Sequence, residues 1–231
     1  MLPEDRDAPE RMAARSAQDD PWVMYIIVRS DRAVAPTAVY AAAARATVEC
    51  ASLYRDVEAW REAFAVWSAR SFRKVTLRAK GSAWEAIATY DHGADAAGDE
   101  ALVRVLPPRQ RSTCDARIRN LQVYNPDRAA LPPDVFTAPP PDAMRFAINP
   151  AAVMSVGKTA AQVSHAVLMC AWSSRTSPEA LARWARGGHA CAFVAGDAWE
   201  ALRASDGAVV VRDAGLTEVT PGTETVAAVL G

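Results

Sequence analysis

A chain of 231 residues with a net charge of −1, 51% hydrophobic and 23% charged residues, has a globular composition and length enough for one large or two small cores. That balance excludes a globally basic nucleic-acid binder, so any attraction to RNA has to come from a local patch. No apolar run approaches the about 18 residues needed to span a bilayer, and the first residues lack a signal-peptide core, so a cytoplasmic protein is expected.

Residues 1–20 mix acids, arginines and alanines with Pro3 and Pro9 and read as a disordered tail. The continuous apolar, β-branched run at 22–28 predicts a buried strand. An alanine-rich helix opens at Pro36 and runs to about Tyr54. A second starts near Asp56 or Val57, with Trp60, Phe64 and Trp67 at i, i+4 and i+7, the spacing of a core-packing stripe. Arg70, Arg73, Lys74, Arg78 and Lys80 then place five cations in eleven residues. If the helix continues, the first four share one face. Residues 72–79 also alternate well enough for a strand; helix is the preferred reading. The cluster is either a solvated face or the best local candidate for contact with nucleic-acid phosphates. A strand over 101–106 is expected to stop at Pro107-Pro108, with a basic helix over 109–120 and a strand over 121–124 after it.

Six prolines between Asn125 and Asp142 mark a semi-rigid linker, 126–143. It divides a first domain, 21–125, from a second, 144–231. In the second, a strand over 144–149 leads into a long helix. Ser177, Pro178 and Glu179 open another helix as N-cap, first position and first turn, and Gly187-Gly188 closes it. Strands over 190–195, 208–212 and 224–230 and a short helix over 197–205 complete the pattern. The order strand–helix–helix–strand–helix–strand therefore occurs on each side of the linker. A shift of 120 positions sets Val28 on Ile148, Ala46 on Ala166 and Cys50 on Cys170. Cys50, Cys114, Cys170 and Cys191 are scattered and read as reduced thiols. His92, His165 and His189 do not join them at any metal-ligand spacing, and no cofactor is expected.

The densest chemistry lies in two segments. The first runs Met154-Ser155-Val156-Gly157-Lys158-Thr159-Ala160-Ala161-Gln162-Val163-Ser164-His165-Ala166. On a helix, Lys158, Gln162 and His165 fall at i, i+4 and i+7 and form one polar stripe. The second runs Arg212-Asp213-Ala214-Gly215-Leu216-Thr217 and on through Pro221-Gly222-Thr223-Glu224-Thr225-Val226. Taken alone, His165 on a helix face is more often a hydrogen-bonded structural histidine, and Asp213-Ala214-Gly215 a turn or cap.

Together the two segments resemble the signature of the type 2 peptidyl-tRNA hydrolases. Both that family's Gly-Lys-x-Ala-Ala-Gln-x-x-His-Ala run and its Asp-Ala-Gly-x-Thr…Gly-Thr-x-Thr-Val run are complete here. The resemblance covers about residues 144–231. It implies an α/β fold of two tandem small three-layer domains, each a mixed four-stranded sheet flanked by helices. The first would be a degenerate copy without catalytic groups, its Ala38, Ala42 and Arg45 standing where the second has Lys158, Gln162 and His165. It further implies hydrolysis of the ester joining a peptide to tRNA, with tRNA as partner. Lys158, Asp213, Thr217 and Thr225 are the implied catalytic residues, and Gly157, Gln162, His165, Gly215 and Thr223 the implied substrate-binding ones. Members of the family pair as homodimers, so the two halves are expected to act as an internal pseudo-dimer unless whole chains pair. Leu216, Val156, Asn149 and Ala151 depart from the family pattern, which leaves open a weak or inactive RNA- or protein-binding module that keeps the fold.

Overall fold

A computed structural model describes residues 20–97, 101–126 and 140–231. Strand β1 (Trp22–Arg29) buries six consecutive side chains, and its alternation splits them between two cores. Met24, Ile26 and Val28 face one way, Val23, Tyr25 and Ile27 the other. Helices α1 (Pro36–Tyr54) and α2 (Glu58–Val66) follow, and a π-turn over Trp67–Ser71 delivers the chain to β2 (Arg73–Ala79). Helix α3 (Ser82–Ala88), strands β3 (Ala94–Ala97) and β4 (Leu102–Gln110), helix α4 (Ala116–Arg119) and the short β5 (Gln122–Val123) complete the first half. Its sheet has the order β3-β4-β1-β2-β5, with β2 parallel and β4 antiparallel to β1.

The second half comprises β6 (Met144–Ile148), α5 (Val156–Ala171), α6 (Pro178–Arg186), β7 (Cys191–Val194), α7 (Trp199–Arg203), β8 (Val209–Arg212) and β9 (Glu224–Val229). The sheet order is β7-β6-β9-β8, with β7 parallel and β9 antiparallel to β6. The two sheets thus share one pattern, β2-β1-β4-β3 corresponding to β7-β6-β9-β8. The shift of 120 positions carries the first residue of α1 onto that of α5, and both ends of α2 onto those of α6. Each half is a mixed sheet between an outer and an inner layer of helix. Trp84, Ile87 and Ile118 cover the outer face of the first sheet, Trp199 and Leu202 that of the second.

Three expectations are corrected. The basic segment is strand β2 rather than a continuing helix, because the π-turn ends at Phe72, whose φ of 46° breaks the helical path. The strand therefore sets Arg73 on one face of the sheet and Lys74 and Arg78 on the other, instead of gathering all of them on one face. Strand β4 runs through Pro107 and Pro108 to Gln110. A bulge opposite Met24 absorbs the prolines, and β3 pairs only with residues 102–105, so their missing N–H groups fall where the strand has become an edge. Within 109–120 the chain forms only a 3-10 turn at Arg111–Thr113 and a short α-helix at Ala116–Arg119. The first sheet carries five strands instead of four: β5 falls within the strand expected over 121–124, and β3 is the strand with no expected counterpart. The tail, but for Asp20, and linker residues 127–139 lie outside the described residues. Among the described residues no helix is long and apolar enough to cross a membrane.

The halves are joined by a common interior. Helices α1 and α5 pack against each other between the sheets, and one apolar core runs from Met24 and Ile26 through Tyr40 and Val163 to Phe146 and Val226. The contact is reciprocal: α1 reaches β7 across the boundary, and α5 reaches β2. Buried Thr47 on α1 donates to Ser164 on α5 at 3.1 Å. At the start of α5 the approach is closest. Thr76 of β2 donates to the Gly157 carbonyl at 2.8 Å, and Val156 N–H donates to the Pro126 carbonyl at 3.1 Å.

A Cβ on Gly157 would lie 1.7 Å from the Tyr124 carbonyl oxygen. Gly157→Ala therefore forces backbone apart at the junction of the halves. The expected cost is about 1–3 kcal/mol, measured as a lowered urea midpoint; an unchanged midpoint would mean that Tyr124 does not hold the position.

Candidate active site

Helix α5 sets out the site. Ser155 caps it by accepting from Lys158 N–H at 3.1 Å, which satisfies one of the donors left free at a helix start. The alanines behind the cap pack inward, so Lys158, Gln162 and His165 line a cleft of about 1420 Å³. The facing wall comes from two places: the loop between β8 and β9, and the first turn of β2 in the other half.

That loop is pinned at its neck and at its tip. Asp213 N–H donates to the Thr223 carbonyl at 2.9 Å and Gly222 N–H to the Asp213 carbonyl at 2.7 Å. Gly215 has a φ of 73°, and a Cβ there would meet the Pro221 ring at 2.4 Å, so no other residue fits the turn. At the tip, Glu218 accepts from Ser155 Oγ at 2.8 Å and from Ser155 N–H at 2.5 Å. A carboxylate at a helix start is also favoured by the helix dipole.

Between these anchors the loop closes over the lysine. Lys158 Nζ donates to Asp213 Oδ2 at 2.6 Å and to Thr217 Oγ1 at 2.9 Å, leaving one of the three ammonium donors for the cleft. Asp213 Oδ2 also accepts from Gln162 Nε2 at 2.8 Å, and Oδ1 from Gly215 N–H at 2.8 Å. Thr225, fully buried, donates to Gln162 Oε1 at 2.8 Å. That bond orients the amide, because the reverse placement would set its oxygen against the Asp213 carboxylate. A directed relay results, from Thr225 through Gln162 to Asp213, which Lys158 meets from the other side.

Further along α5, His165 Nδ1 lies 3.1 Å from Lys74 Nζ. Lys74 is 8% exposed and sits over the Phe72 ring at 3.7 Å and the Trp67 ring at 4.6 Å. Burial pulls its ammonium well below the usual lysine range. Burial, with Lys74 and Lys158 nearby, likewise holds the His165 imidazole well below its ordinary value, so the ring is neutral near pH 7.

The structure brings Lys158, Asp213, Thr217, Gln162 and, through the amide, Thr225 into one cluster. Thr225 does not reach the cleft, and the Thr223 hydroxyl turns to the Thr220 carbonyl at 2.8 Å. Gly157 and Gly215 shape backbone. The basic residues do not gather: Arg70 and Lys80 are exposed, Arg78 is held by Gln122, Arg73 lines the outer mouth of the cleft and Lys74 its interior. Sequence reasoning missed Glu218 and Thr76. Ser155, three residues before Lys158, carried a cap signal, whereas nothing local marks a glutamate that anchors a distant helix. Among the described residues no group of His, Cys, Asp and Glu could hold a metal ion.

Lys74 has a stability signature. An unfolded lysine keeps its proton up to about pH 10.5, whereas the folded one releases it at lower pH. The unfolded chain therefore binds more protons, and this group costs stability that is regained as pH rises towards that value. Lys74→Met is expected to raise the urea midpoint at pH 7, with the gain shrinking towards pH 10. A lowered midpoint at pH 7 would show that the ammonium stabilises the fold.

Residues 143–230 match the family model described as peptidyl-tRNA hydrolase PTH2. The match takes in the second sheet and every group of the Lys158–Asp213 cluster, and leaves the first half outside it. No curated protein and no solved structure matches the chain.

Proposed function

We propose that the chain hydrolyses the ester between peptide and tRNA in peptidyl-tRNA, with the chemistry in the second half. The observation that carries this reading is the convergence of Lys158, Asp213 and Thr217, which lie 55 and 59 residues apart along the chain, on one ammonium. The family match over 143–230 supports the same substrate. The charge of the cleft agrees with an anionic ligand: six cationic side chains line it against three carboxylates, on a chain whose net charge is −1.

Water attacks the ester carbonyl carbon, and the tetrahedral oxyanion collapses by breaking the bond to the ribose oxygen. That oxygen takes up one proton of the attacking water and the other passes to solvent, leaving a peptide carboxylate and a free tRNA hydroxyl. Lys158 supplies the positive charge facing the oxyanion, where a preorganised donor acts best. Asp213 aims the ammonium, being engaged on both oxygens and 8% exposed. The exposed Thr217 accepts from Lys158, so its own O–H is free to hold the attacking water or the oxyanion. No serine or cysteine nucleophile belongs to the cluster, so water attacks directly instead of through an acyl-enzyme.

The first half is read as a copy of the same domain that lacks the catalytic groups, the chain serving as its own pseudo-dimer. The shared strand order, the shift of 120 positions and the reciprocal helix contacts support this. Eleven residues separate β8 from β9, but only four separate β3 from β4, too few to carry a loop like that of Asp213.

Peptidyl-tRNA turnover tests the reading. Lys158→Ala is expected to lower kcat by about 100-fold or more. Wild-type chain that binds tRNA without turning the ester over would leave the binding-module reading in its place. Thr225→Val unmoors the Gln162 amide without touching substrate. It is expected to lower kcat with KM nearly unchanged and to cost about 1–3 kcal/mol of stability; equal kcat in Thr225→Val and wild type would remove the relay from the mechanism.

A further inference from the structure

Resting on that hydrolase reading, we propose that Lys74 and His165 form a second station in the cleft, which receives a phosphodiester oxygen of the nucleic acid whose ester lies at Lys158. The first half of the chain thereby supplies a substrate-binding group that the matched family segment does not contain.

The argument begins with a cation that lacks an anion. Lys74 is nine-tenths buried, and among the described residues no carboxylate pairs with it. The three carboxylates of the cleft are engaged elsewhere: Asp213 by Lys158 and Gln162, Glu218 by Ser155, and Asp20 by Ser112. Its neighbours are the faces of Phe72 and Trp67 and a histidine nitrogen. If packing were the only role, methionine would fill that aromatic box without the cost of burying charge. An ammonium that lines an open cleft and lacks a partner carboxylate is instead placed for an anion that arrives with the ligand.

The histidine adds a second donor. With the Lys74 ammonium donating to Nδ1, the ring proton of neutral His165 sits on Nε2, so both side chains present N–H groups. Lys158, on the same helix, is a second cation acting on His165; the carboxylate next to it, Asp213, is held by Lys158 and Gln162. His165 follows Lys158 by seven residues on α5, which places the two stations about 10 Å apart. That span suits a terminal ester at one end and a phosphate behind it at the other. Even the strained turn serves the arrangement, because Phe72, at φ 46°, lies tilted against His165 with centroids 5.1 Å apart and presents its face to Lys74.

The test uses the full chain and the RNA trinucleotide CCA as probe, so it reads binding without hydrolysis. Lys74→Met is expected to weaken CCA binding about tenfold or more, and to reduce the slope of log affinity against log salt by about 0.7, one phosphate contact on a single strand. Unchanged affinity and slope would overturn the proposal. Should the variant fold poorly, the wild-type chain decides. CCA is expected to protect the Lys74 amine from reductive methylation, read by peptide mass spectrometry, and equal labelling with and without CCA would overturn the proposal as well. Peptidyl-tRNA turnover by the wild type separates the two ideas. Turnover with no effect of Lys74→Met on CCA binding sinks the second station alone, whereas loss of CCA binding in a chain that hydrolyses nothing sinks the hydrolase reading alone.

Discussion

The Asp213 carboxylate is the tie on which the site depends. It is almost wholly buried, and a charge in that position is tolerated only when paired and hydrogen-bonded. Lys158 supplies the pair, and Gln162 and the Gly215 amide supply hydrogen bonds. Removing any one of them leaves a buried carboxylate undersatisfied, which costs more than the bond itself was worth. The ends of the β8–β9 loop are positioned by strands and its tip by Glu218, while Asp213 and Thr217 meet on the Lys158 ammonium. The same contact that fixes the lysine also holds the loop that bears Thr217.

The tie requires α5 to sit at a set depth, and that depth comes from the other half of the chain. Gly157 lets the Tyr124 carbonyl and Thr76 come against the first turn of the helix. Two turns on, Lys74 meets His165. One face of α5 therefore packs into the core common to both sheets while its polar stripe looks along the seam between the halves. A domain that carries none of the cluster's groups still sets the width of the cleft.

Much of this was legible in the sequence. The continuous apolar run of β1, the proline that opens α1, the cap and first turn of α6 and the stripe of α5 each follow from a local rule, and the structure places all of them. The pairing of Asp213 with Lys158 was legible only through two motifs read together, since neither has a local partner. What failed, failed for non-local reasons. Residues 70–80 carry enough helical periodicity to mislead, and the outcome turned on a left-handed Phe72 and on the free edge of β1 that the segment could fill. Pro107 and Pro108 read as a stop because the bulge and the unpaired edge that accommodate them belong to neighbouring strands. Glu218 was invisible because its partner lies 63 residues away.

The two halves show what separates a fold from a site. They share strand order, helix register and an inner helix that crosses to the opposite sheet, yet the chemistry lies in features that the packing does not require. In α1, Ala38 and Ala42 occupy positions that hold Lys158 and Gln162 in α5, and alanine suits a helix better than either. In α1 these differences favour helix packing and leave no counterpart of the Lys158–Gln162 pair to satisfy. Only four residues separate β3 from β4. The second half keeps a buried ion pair, a positive-φ glycine and a long loop, all of which cost stability. The first half has costs of its own, among them the buried ammonium of Lys74, which lies at the wall of the cleft, where a ligand can offset it.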